Sequence, residues 1–280
     1  MKKILVTGAN GQLGLSIKAV GKNYPSMIFT FTDVEDLDIT NSKEVTSFFE
    51  NNKFDYCVNC AAYTAVDKAE EDVENAFSIN ATAVKNLSIA CKNSNVVLIH
   101  VSTDFVFDGL KKTPYSEEDL PNPLSVYGSS KLKGEQFIQD ILDSYFIVRT
   151  SWLYSEYGNN FVKTMLRLSE THKEINVVDD QIGSPTYAGD LAEFIISVIS
   201  LESELYGVYH FSNEGNISWY DFAVEIFEKS QRHIKVNPIE STLYSTAAKR
   251  PAYSVLGTTK AKKLGQIKIK NWKESLSMFN

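Results

Sequence analysis

Five short apolar runs in the first half of the chain alternate with stretches that have helical spacing. The runs are continuously apolar rather than alternating, which is typical of parallel strands buried on both faces. A strand–helix order of this kind favours an α/β fold with a doubly wound parallel sheet. The predicted strands are 3–7, 27–32, 55–59, 96–101 and 146–149, and the predicted helices are 12–22, 42–52, 72–93 and 126–143.

The pattern changes near residue 150, where brief strands and polar loops begin to separate the helical stretches. We therefore expect the parallel-sheet domain to span 1–150. Residues 151–280 are expected to form mostly a smaller, mixed α/β lobe for substrate binding, with some segments returning to the first domain. A run at 174–178 is predicted to extend the parallel sheet. The lobe's predicted helices are 160–171, 188–201 and 218–231, and its brief strands are 207–212 and 234–239.

Charge and apolar patterning argue against several classes of protein. The 280-residue chain has 28 Lys and Arg against 35 Asp and Glu, so its net charge of −7 disfavours nucleic acid as a partner. No stretch approaches the roughly 20 apolar residues of a membrane span. The apolar run at the start is too short for a signal peptide, and three cysteines cannot all pair, which favours a cytoplasmic protein.

Three glycines, Gly8, Gly11 and Gly14, follow the first predicted strand. Glycines at this spacing let the chain turn tightly and approach a pyrophosphate. The helix that starts near Gln12 then offers free N–H groups and the positive end of its dipole to the phosphates. The sequence therefore predicts that residues 1–150 are an NAD(P)-binding Rossmann domain.

Asp33 ends the second predicted strand. A carboxylate at this place can accept hydrogen bonds from the adenosine ribose hydroxyls, and it repels a 2′-phosphate. No arginine stands at 9–10 or 34–36 to receive such a phosphate. On these physical grounds the sequence favours NADH.

Tyr127 and Lys131 share one face of a predicted helix because they lie four residues apart. A free phenol has a pKa of about 10 and is a poor acid–base group at neutral pH. A cation one turn away stabilises the phenolate and lowers that pKa. The pair therefore predicts a catalytic tyrosine with a supporting lysine.

The glycine spacing, a Ser102-Thr103 pair and the Tyr127-x-x-x-Lys131 pair resemble the extended short-chain dehydrogenases/reductases. Longer motifs resemble the dTDP-4-dehydrorhamnose reductase family within that group. They are Asn59–Glu70, Ser102–Gly109, Arg149–Tyr154, Gly158–Phe161, Asp180–Thr186 and Arg250-Pro-x-x-Ser254. The resemblance covers nearly the whole chain. It implies reduction of a 4-keto nucleotide sugar by NADPH or NADH, in the last step towards dTDP-L-rhamnose.

The resemblance also implies roles for individual residues. Tyr127 would donate a proton to the sugar C4 oxygen, Thr103 would hydrogen-bond the same oxygen, and Lys131 would tune Tyr127 and orient the nicotinamide ribose. Tyr127 and Lys131 therefore count among the cofactor-binding residues. The others are Gly8, Gly11, Gln12, Leu13, Gly14, Asp33, Asp38, Ile39, Ala62, Tyr63 and Thr64.

Four residues are expected to bind the substrate: Thr103, Asp104, Trp152 and Arg250. Trp152 offers a flat apolar face suited to a sugar ring, although plain core packing is the alternative. The planar fork of Arg250 suits bidentate binding of the substrate diphosphate. No metal site is expected.

Other functions remain open at this stage. The chain could act as a reductase or epimerase on another nucleotide sugar, or as a non-catalytic subunit similar to the β subunit of methionine adenosyltransferase. Sugar-nucleotide dehydratases resemble this family but carry Thr-Asp-Glu, whereas this chain has Thr103-Asp104-Phe105, which disfavours dehydration. The first helix has no acid at 13–17 for a metal-bridged dimer, so a monomer or a homodimer is expected.

Overall fold

The computed structural model describes residues 1–279. In these residues the chain forms twelve strands and ten α-helices. The strands are β1 Lys2–Thr7, β2 Met27–Thr32, β3 Tyr56–Asn59, β4 Val97–Thr103, β5 Tyr145–Thr150, β6 Leu153–Tyr154, β7 Glu174–Val178, β8 Ile182–Gly183, β9 Thr186–Tyr187, β10 Gly207–His210, β11 Ile217–Ser218 and β12 Lys235–Ile239. The helices are α1 Gln12–Gly21, α2 Ser42–Asn51, α3 Val73–Phe77, α4 Ala83–Ser94, α5 Val126–Ile141, α6 Phe161–Leu168, α7 Ala188–Ser200, α8 Trp219–Lys229, α9 Thr259–Gly265 and α10 Trp272–Leu276.

Six strands form one parallel sheet in the order β10-β5-β4-β3-β1-β2. Successive side chains of a strand point to opposite faces. Ile4 and Val6 accordingly pack against α1 and α7, whereas Leu5 packs against α2, α4 and α5. Helices therefore cover both faces, and the predicted doubly wound α/β fold is confirmed.

The sixth strand of this sheet differs from the sequence prediction. The run at 174–178 was predicted to extend the sheet, and this is wrong: β7 pairs in parallel with β12, away from the main sheet. The sixth strand is β10, which pairs with β5. It follows α7, whose buried face packs in the cluster that contains Ile4 and Val6. Residues 188–210 thus belong to the main sheet's layers.

The remaining short strands pair two by two around a separate apolar cluster. This cluster contains side chains from α6 and α8, together with Tyr154 and Trp272. It forms the core of a smaller lobe beside the carboxyl end of β5. No helix within residues 1–279 is long and apolar enough to cross a membrane.

The order of the main sheet creates a crevice between β1 and β3. The chain moves outward from β1 to β2 and then returns, so that β3 lies on the other side of β1. Ligands of open α/β sheets bind at the carboxyl ends of the strands, at such a reversal. The residues after β1 and β3, and those after the neighbouring β4, therefore line the candidate site.

Candidate active site

The segment from Gly8 to Gly14, which we call the glycine loop, turns within this crevice. Two of its glycines are needed for close packing. Gly8 has a φ of 64°, and a Cβ there would lie 2.5 Å from the backbone nitrogen of Ala61. A Cβ at Gly14 would lie 2.6 Å from Cα of Ala9. The absence of side chains therefore lets β1, α1 and the segment after β3 meet at the crevice.

The start of α1 has the chemistry that a pyrophosphate requires. Gly11 is the N-cap residue, and no side chain among the described residues caps this helix end or places an acid in its first turn. The first N–H groups of a helix have no partner within the helix, and they attract anions together with the helix dipole. Gln12, Leu13 and Gly14 form that first turn, so the residues present fit a dinucleotide.

Asp33 lies beside the glycine loop at the end of β2. Its Oδ2 accepts the N–H of Asn10 at 2.8 Å, and its Oδ1 accepts the N–H of Val34 at 2.9 Å. Each carboxylate oxygen can accept a further hydrogen bond, so ribose hydroxyls can still donate to Asp33. In the same loop Asp38 accepts two hydrogen bonds from Thr40, and the Ile39 side chain is buried in the core.

Asn80 fixes the segment that follows β3. Its Oδ1 accepts the N–H of Tyr63 at 2.9 Å, and its Nδ2 donates to the Tyr63 carbonyl and to the Ser130 hydroxyl, each at 3.0 Å. Asn80 lies in a π-helical turn at Ser78–Thr82, a geometry that is frequent at functional sites. Asn80 thereby ties the segment Ala62–Thr64 to α5, which carries Tyr127 and Lys131.

Gly128 brings Tyr127 next to the turn after β4. A Cβ at Gly128 would lie 2.2 Å from the carbonyl oxygen of Phe105, so only glycine allows this approach. Two caps hold the start of α5: the Ser125 hydroxyl accepts the N–H of Gly128 at 3.1 Å, and a Glu70 carboxylate oxygen accepts the N–H of Val126 at 2.9 Å. Tyr127 is thus positioned by backbone contacts.

The phenol of Tyr127 is a protonated group in this site. Burial raises its pKa to about 12, the Thr103 hydroxyl lowers the pKa, and Asp104 raises it. Lys131 is not among the groups that set this pKa, which differs from the sequence prediction. Its Nζ is directed inward, where it donates to the Val101 carbonyl at 2.7 Å.

Lys131 is 2% exposed and contacts a buried imidazole. Its Nζ lies 3.2 Å from Nε2 of His100, and Nδ1 of His100 lies 3.0 Å from Nδ2 of Asn59. Burial lowers the pKa of Lys131 to about 8, while Glu135 and Cys60 raise it. Burial, followed by the proximity of Lys131, lowers the pKa of His100 well below its usual range.

Asp104 stands beside Thr103 with a side chain that is almost completely buried. The Thr103 hydroxyl lies 3.1 Å from Oδ1 of Asp104, while Oδ2 has no hydrogen-bond partner in the described part of the chain. Burial raises the pKa of Asp104 to about 6, and the hydroxyls of Ser254 and Thr103 act in the opposite direction. The sequence-predicted residues Thr103, Asp104, Tyr127 and Lys131 thus lie together; we call them the catalytic cluster.

Arg250 has a partner within the protein. Its Nη1 and Nη2 donate to the two carboxylate oxygens of Asp67 at 3.1 and 2.7 Å, and the N–H of Ala248 also donates to Asp67. Arg250 and the neighbouring Lys249 line a cavity of about 900 Å³ between α6, β7 and the segment 241–252. Asp67 thus occupies the end of the guanidinium formed by Nη1 and Nη2, and a phosphate that binds this end has to displace Asp67.

Trp152 also has a neighbour that the sequence did not reveal. Its ring stacks on Trp219 with a centroid distance of 3.4 Å and an interplanar angle of 9°. Gly183 lies against the same indole, and a Cβ there would be 2.4 Å from a ring carbon. Trp219 therefore covers one flat face of the indole that was expected to meet a sugar ring, and Trp219 itself lines the cavity.

The smaller lobe reaches the glycine loop through Gln12. Its Oε1 accepts hydrogen bonds from the Ser155 hydroxyl at 3.1 Å and from Nδ2 of Asn160 at 2.9 Å. Asn160 also caps α6, because its Oδ1 accepts the N–H of Lys163. One asparagine of the Gly158–Phe161 motif thus links the two parts of the site.

Sequence reasoning missed Asn59, Asn80, His100 and Gly128 as supports of the site. Gly128 lies inside the Tyr127-x-x-x-Lys131 spacing, which could have drawn attention to it. Asn59 opens the Asn59–Glu70 motif, which could likewise have drawn attention to it. Asn80 gave no such signal, because its partners Tyr63 and Ser130 are distant in the chain. No cluster of at least three His, Cys, Asp or Glu residues suited to a metal ion occurs within residues 1–279.

Comparisons with known proteins agree over both parts of the molecule. The family described as RmlD substrate binding domain matches residues 1–279. A dTDP-4-dehydrorhamnose reductase of Aggregatibacter actinomycetemcomitans is 43% identical, over 99% of this chain and 97% of the relative. Two crystal structures each cover 99% of this chain and 98% of their own with a TM-score of 0.95: a dTDP-4-dehydrorhamnose reductase of Clostridium acetobutylicum at 47% identity, and one of Bacillus anthracis in complex with NADP at 41% identity.

Proposed function

This chain belongs to the dTDP-4-dehydrorhamnose reductase family, and we propose that it reduces the C4 keto group of dTDP-4-dehydro-6-deoxy-L-mannose to give dTDP-L-rhamnose. The chain is an NAD(P)H-dependent oxidoreductase with a Rossmann fold. The reaction is the last step of dTDP-rhamnose biosynthesis.

The observation that carries this proposal is the protonated phenol of Tyr127 beside the Thr103 hydroxyl. A reduced ketone needs a proton on its oxygen, and a phenol with a pKa of about 12 still holds one at neutral pH. The nicotinamide supplies the hydride when it is bound. Thr103 gives a second hydrogen bond to the C4 oxygen, where negative charge develops during the reaction.

We assign the cofactor-binding roles as part of the same proposal. The first turn of α1, at Gln12 and Leu13, would receive the pyrophosphate, and Asp33 would accept the adenosine ribose hydroxyls. Lys131 and Tyr127 would face the nicotinamide ribose. The rest of the proposed set surrounds the dinucleotide: Gly8, Gly11, Gly14, Asp38, Ile39, Ala62, Tyr63 and Thr64.

The nucleotide part of the substrate would lie in the 900 Å³ cavity. Arg250 and Lys249 supply its positive charge, and the Arg250 fork would exchange Asp67 for the diphosphate. Asp104 would contact the sugar. Trp152 would contact it through the part of the indole that Trp219 leaves uncovered.

We place the reaction in the cytoplasm, where NAD(P)H and nucleotide sugars are made. The free thiols of Cys57, Cys60 and Cys91 suit a reducing compartment. The proposed partners are the nucleotide sugar and the cofactor, with no nucleic acid or membrane, and the protein would act as a monomer or a homodimer.

The test mixes purified protein with NADH or NADPH and dTDP-4-dehydro-6-deoxy-L-mannose, and follows nicotinamide absorbance and the sugar product. We expect stoichiometric oxidation of the cofactor and formation of dTDP-L-rhamnose. The D-gluco 4-keto sugar nucleotide, tested in parallel, should react far more slowly. Binding of both ligands without turnover would contradict the proposal, and so would faster reduction of the D-gluco compound.

A further inference from the structure

The Lys131 amine lies at the end of a buried chain of hydrogen bonds that starts at Asn59. The Oδ1 of Asn59 accepts the N–H of Ala61 at 3.1 Å and the hydroxyl of Thr7 at 2.8 Å. A backbone N–H can only donate, so it fixes the orientation of the Asn59 amide. The Nδ2 group of Asn59 must therefore donate to Nδ1 of His100.

The protonation state of His100 follows from this orientation. Because Nδ1 accepts a hydrogen bond, it carries no proton, and neutral imidazole must carry its proton on Nε2. His100 and Asn59 are both 0% exposed, so no solvent can offer either of them another partner. The Nε2–H of His100 consequently points at Nζ of Lys131, 3.2 Å away.

An ammonium group cannot accept a hydrogen bond from this N–H, because it has three donors and no lone pair. A neutral amine can: it accepts from His100 through its lone pair and still donates to the Val101 carbonyl. We propose that Asn59 and His100 hold Lys131 uncharged in the free protein, and that Lys131 takes up one proton from solvent when the dinucleotide binds.

The binding step adds one proton to the Lys131 amine. The lone pair of Nζ forms an N–H bond with a proton that leaves a hydronium ion or a buffer acid. The resulting ammonium would turn away from the N–H of His100 and donate to the ribose hydroxyls. No other covalent bond changes. Asn59 and His100 are thus positioning residues, since they act on the cofactor only through Lys131. This inference rests on the proposed function, because it assumes that the chain binds NAD(P)H.

The other titratable groups near Lys131 do not change the mismatch between a charged Lys131 and the N–H of His100, which can both only donate. Cys60 faces it from the segment after β3, and burial raises the pKa of that thiol so far that it stays uncharged. Glu135 lies one turn further along α5, but its carboxylate is paired with Arg149 at 2.6 Å. Burial lowers the pKa of Lys131 to about 8 even though Glu135 and Cys60 raise it. The N–H of His100 acts in the same direction as burial.

Proton uptake on binding makes the affinity for the cofactor depend on pH. The free protein loses the Lys131 proton near pH 8 or below, whereas the complex keeps it to higher pH. Above that pH the dissociation constant for NADH should rise about tenfold per pH unit, because each binding event consumes one proton. Below it, where the lysine is charged in both states, the dependence should disappear.

The number of protons taken up per bound NADH can be measured by calorimetry. The full-length protein is titrated with NADH near pH 8 in buffers of different ionisation enthalpy. We expect uptake of about one proton per site in the wild type. Lys131→Met should remove it. His100→Met should reduce it to about half, because the opposing N–H is gone and the pKa of Lys131 then lies near 8. His100→Gln should keep the full uptake, because a Gln amide can accept from Asn59 and donate to Lys131.

Binding of NADH without proton uptake in the wild type would overturn the inference and leave the reductase function intact. Uptake that persists in Lys131→Met would assign the proton to another group and overturn the inference as well. If NADH does not bind at all, the proposed function itself fails. Should the His100 variants not fold, the wild type and Lys131→Met decide the question by themselves.

Discussion

The catalytic cluster and the substrate side of the site differ in how their polar groups are held. Tyr127 is set in place by rigid contacts of the backbone, chiefly the approach of Gly128 to Phe105. On the substrate side, Arg250 is paired with Asp67 and Trp152 is stacked on Trp219. The difference teaches that the proposed proton donor is preorganised. The proposed substrate-binding groups instead lie against protein partners that a ligand would have to displace.

The elements that carry these residues explain the contrast. The catalytic cluster lies on the end of β4, on the short turn that follows it and on α5, all within the main sheet's layers. Arg250 lies in the irregular segment between β12 and α9, and Asp67 lies in a loop after β3. Loops can shift with little loss of buried contact. Exchanging one hydrogen-bond partner for another therefore costs less free energy there.

The largest effect is expected from Tyr127→Phe, which removes the proton donor from the preorganised side. Turnover should fall by about 10²–10⁴-fold, the usual contribution of a general acid. NADH affinity, followed by nicotinamide fluorescence, should change little. The control is Tyr220→Phe in the smaller lobe, which removes the same atom and should keep full turnover. Full turnover in Tyr127→Phe would remove Tyr127 as the acid.

Gly128→Ala tests whether preorganisation depends on the backbone approach. The new Cβ would meet the Phe105 carbonyl at 2.2 Å, so α5 has to move away from the turn that carries Thr103. We expect a loss of about 1–3 kcal/mol in the free energy of unfolding and a clear fall in kcat. Urea denaturation and steady-state kinetics measure the two effects.

The matched control for this change is Ser129→Ala, one residue further along α5. It should stay within about 0.5 kcal/mol of the wild type, because this substitution adds no atom to the contact with Phe105. A Gly128→Ala protein with wild-type stability and turnover would mean that the close approach is not required.

Two substitutions test partner exchange on the substrate side. Asp67→Asn keeps the shape of the side chain but releases the Arg250 fork, so KM for the nucleotide sugar should fall several-fold with kcat unchanged. Arg250→Lys should raise KM about tenfold, because an ammonium cannot bind a diphosphate bidentately. A rise in KM for both variants would show that the pair only holds the loop in place.

The smallest effect is expected at Asp33, where the charge rather than the geometry is tested. Asp33→Asn keeps an acceptor for the N–H of Asn10 and removes the charge that would repel a 2′-phosphate. The ratio of kcat/KM for NADPH to that for NADH should rise roughly tenfold, which corresponds to about 1.4 kcal/mol. Glu35→Gln is the control for a general field effect, and an equal shift in both variants would contradict a local role for Asp33.

The sequence predicted the first five strands and the glycine loop well, for a physical reason. Strands buried on both faces leave continuous apolar runs, and the helical patterns between them start and end within a few residues of the observed helices. A π-helical turn at Ser78–Thr82 nevertheless divides the helix predicted at 72–93 into α3 and α4. The sheet that each of the runs at 174–178 and 207–210 joins could not be predicted in this way. A short apolar run does not reveal which sheet it joins, and the joining of β10 to β5 depends on how α7 packs on the sheet.

Prediction of the site from the sequence was limited in the same way, at the level of single residues. Thr103, Tyr127 and Lys131 could be found because their spacing follows from a strand end and one helix face. The pairing of Arg250 with Asp67 and the stacking of Trp152 on Trp219 could not, because these partners are far apart in the chain. Such contacts depend on how the smaller lobe folds against the main sheet.

Transfer of label from the cofactor to the sugar tests the reductase function most directly. The protein is incubated with dTDP-4-dehydro-6-deoxy-L-mannose and with NADH or NADPH that carries deuterium at the transferable position of the nicotinamide. We expect dTDP-L-rhamnose with one deuterium at C4, in a one-to-one ratio to the cofactor oxidised, as read by NMR and mass spectrometry. A product without deuterium at C4, or an epimerised sugar formed without net oxidation of the cofactor, would contradict it.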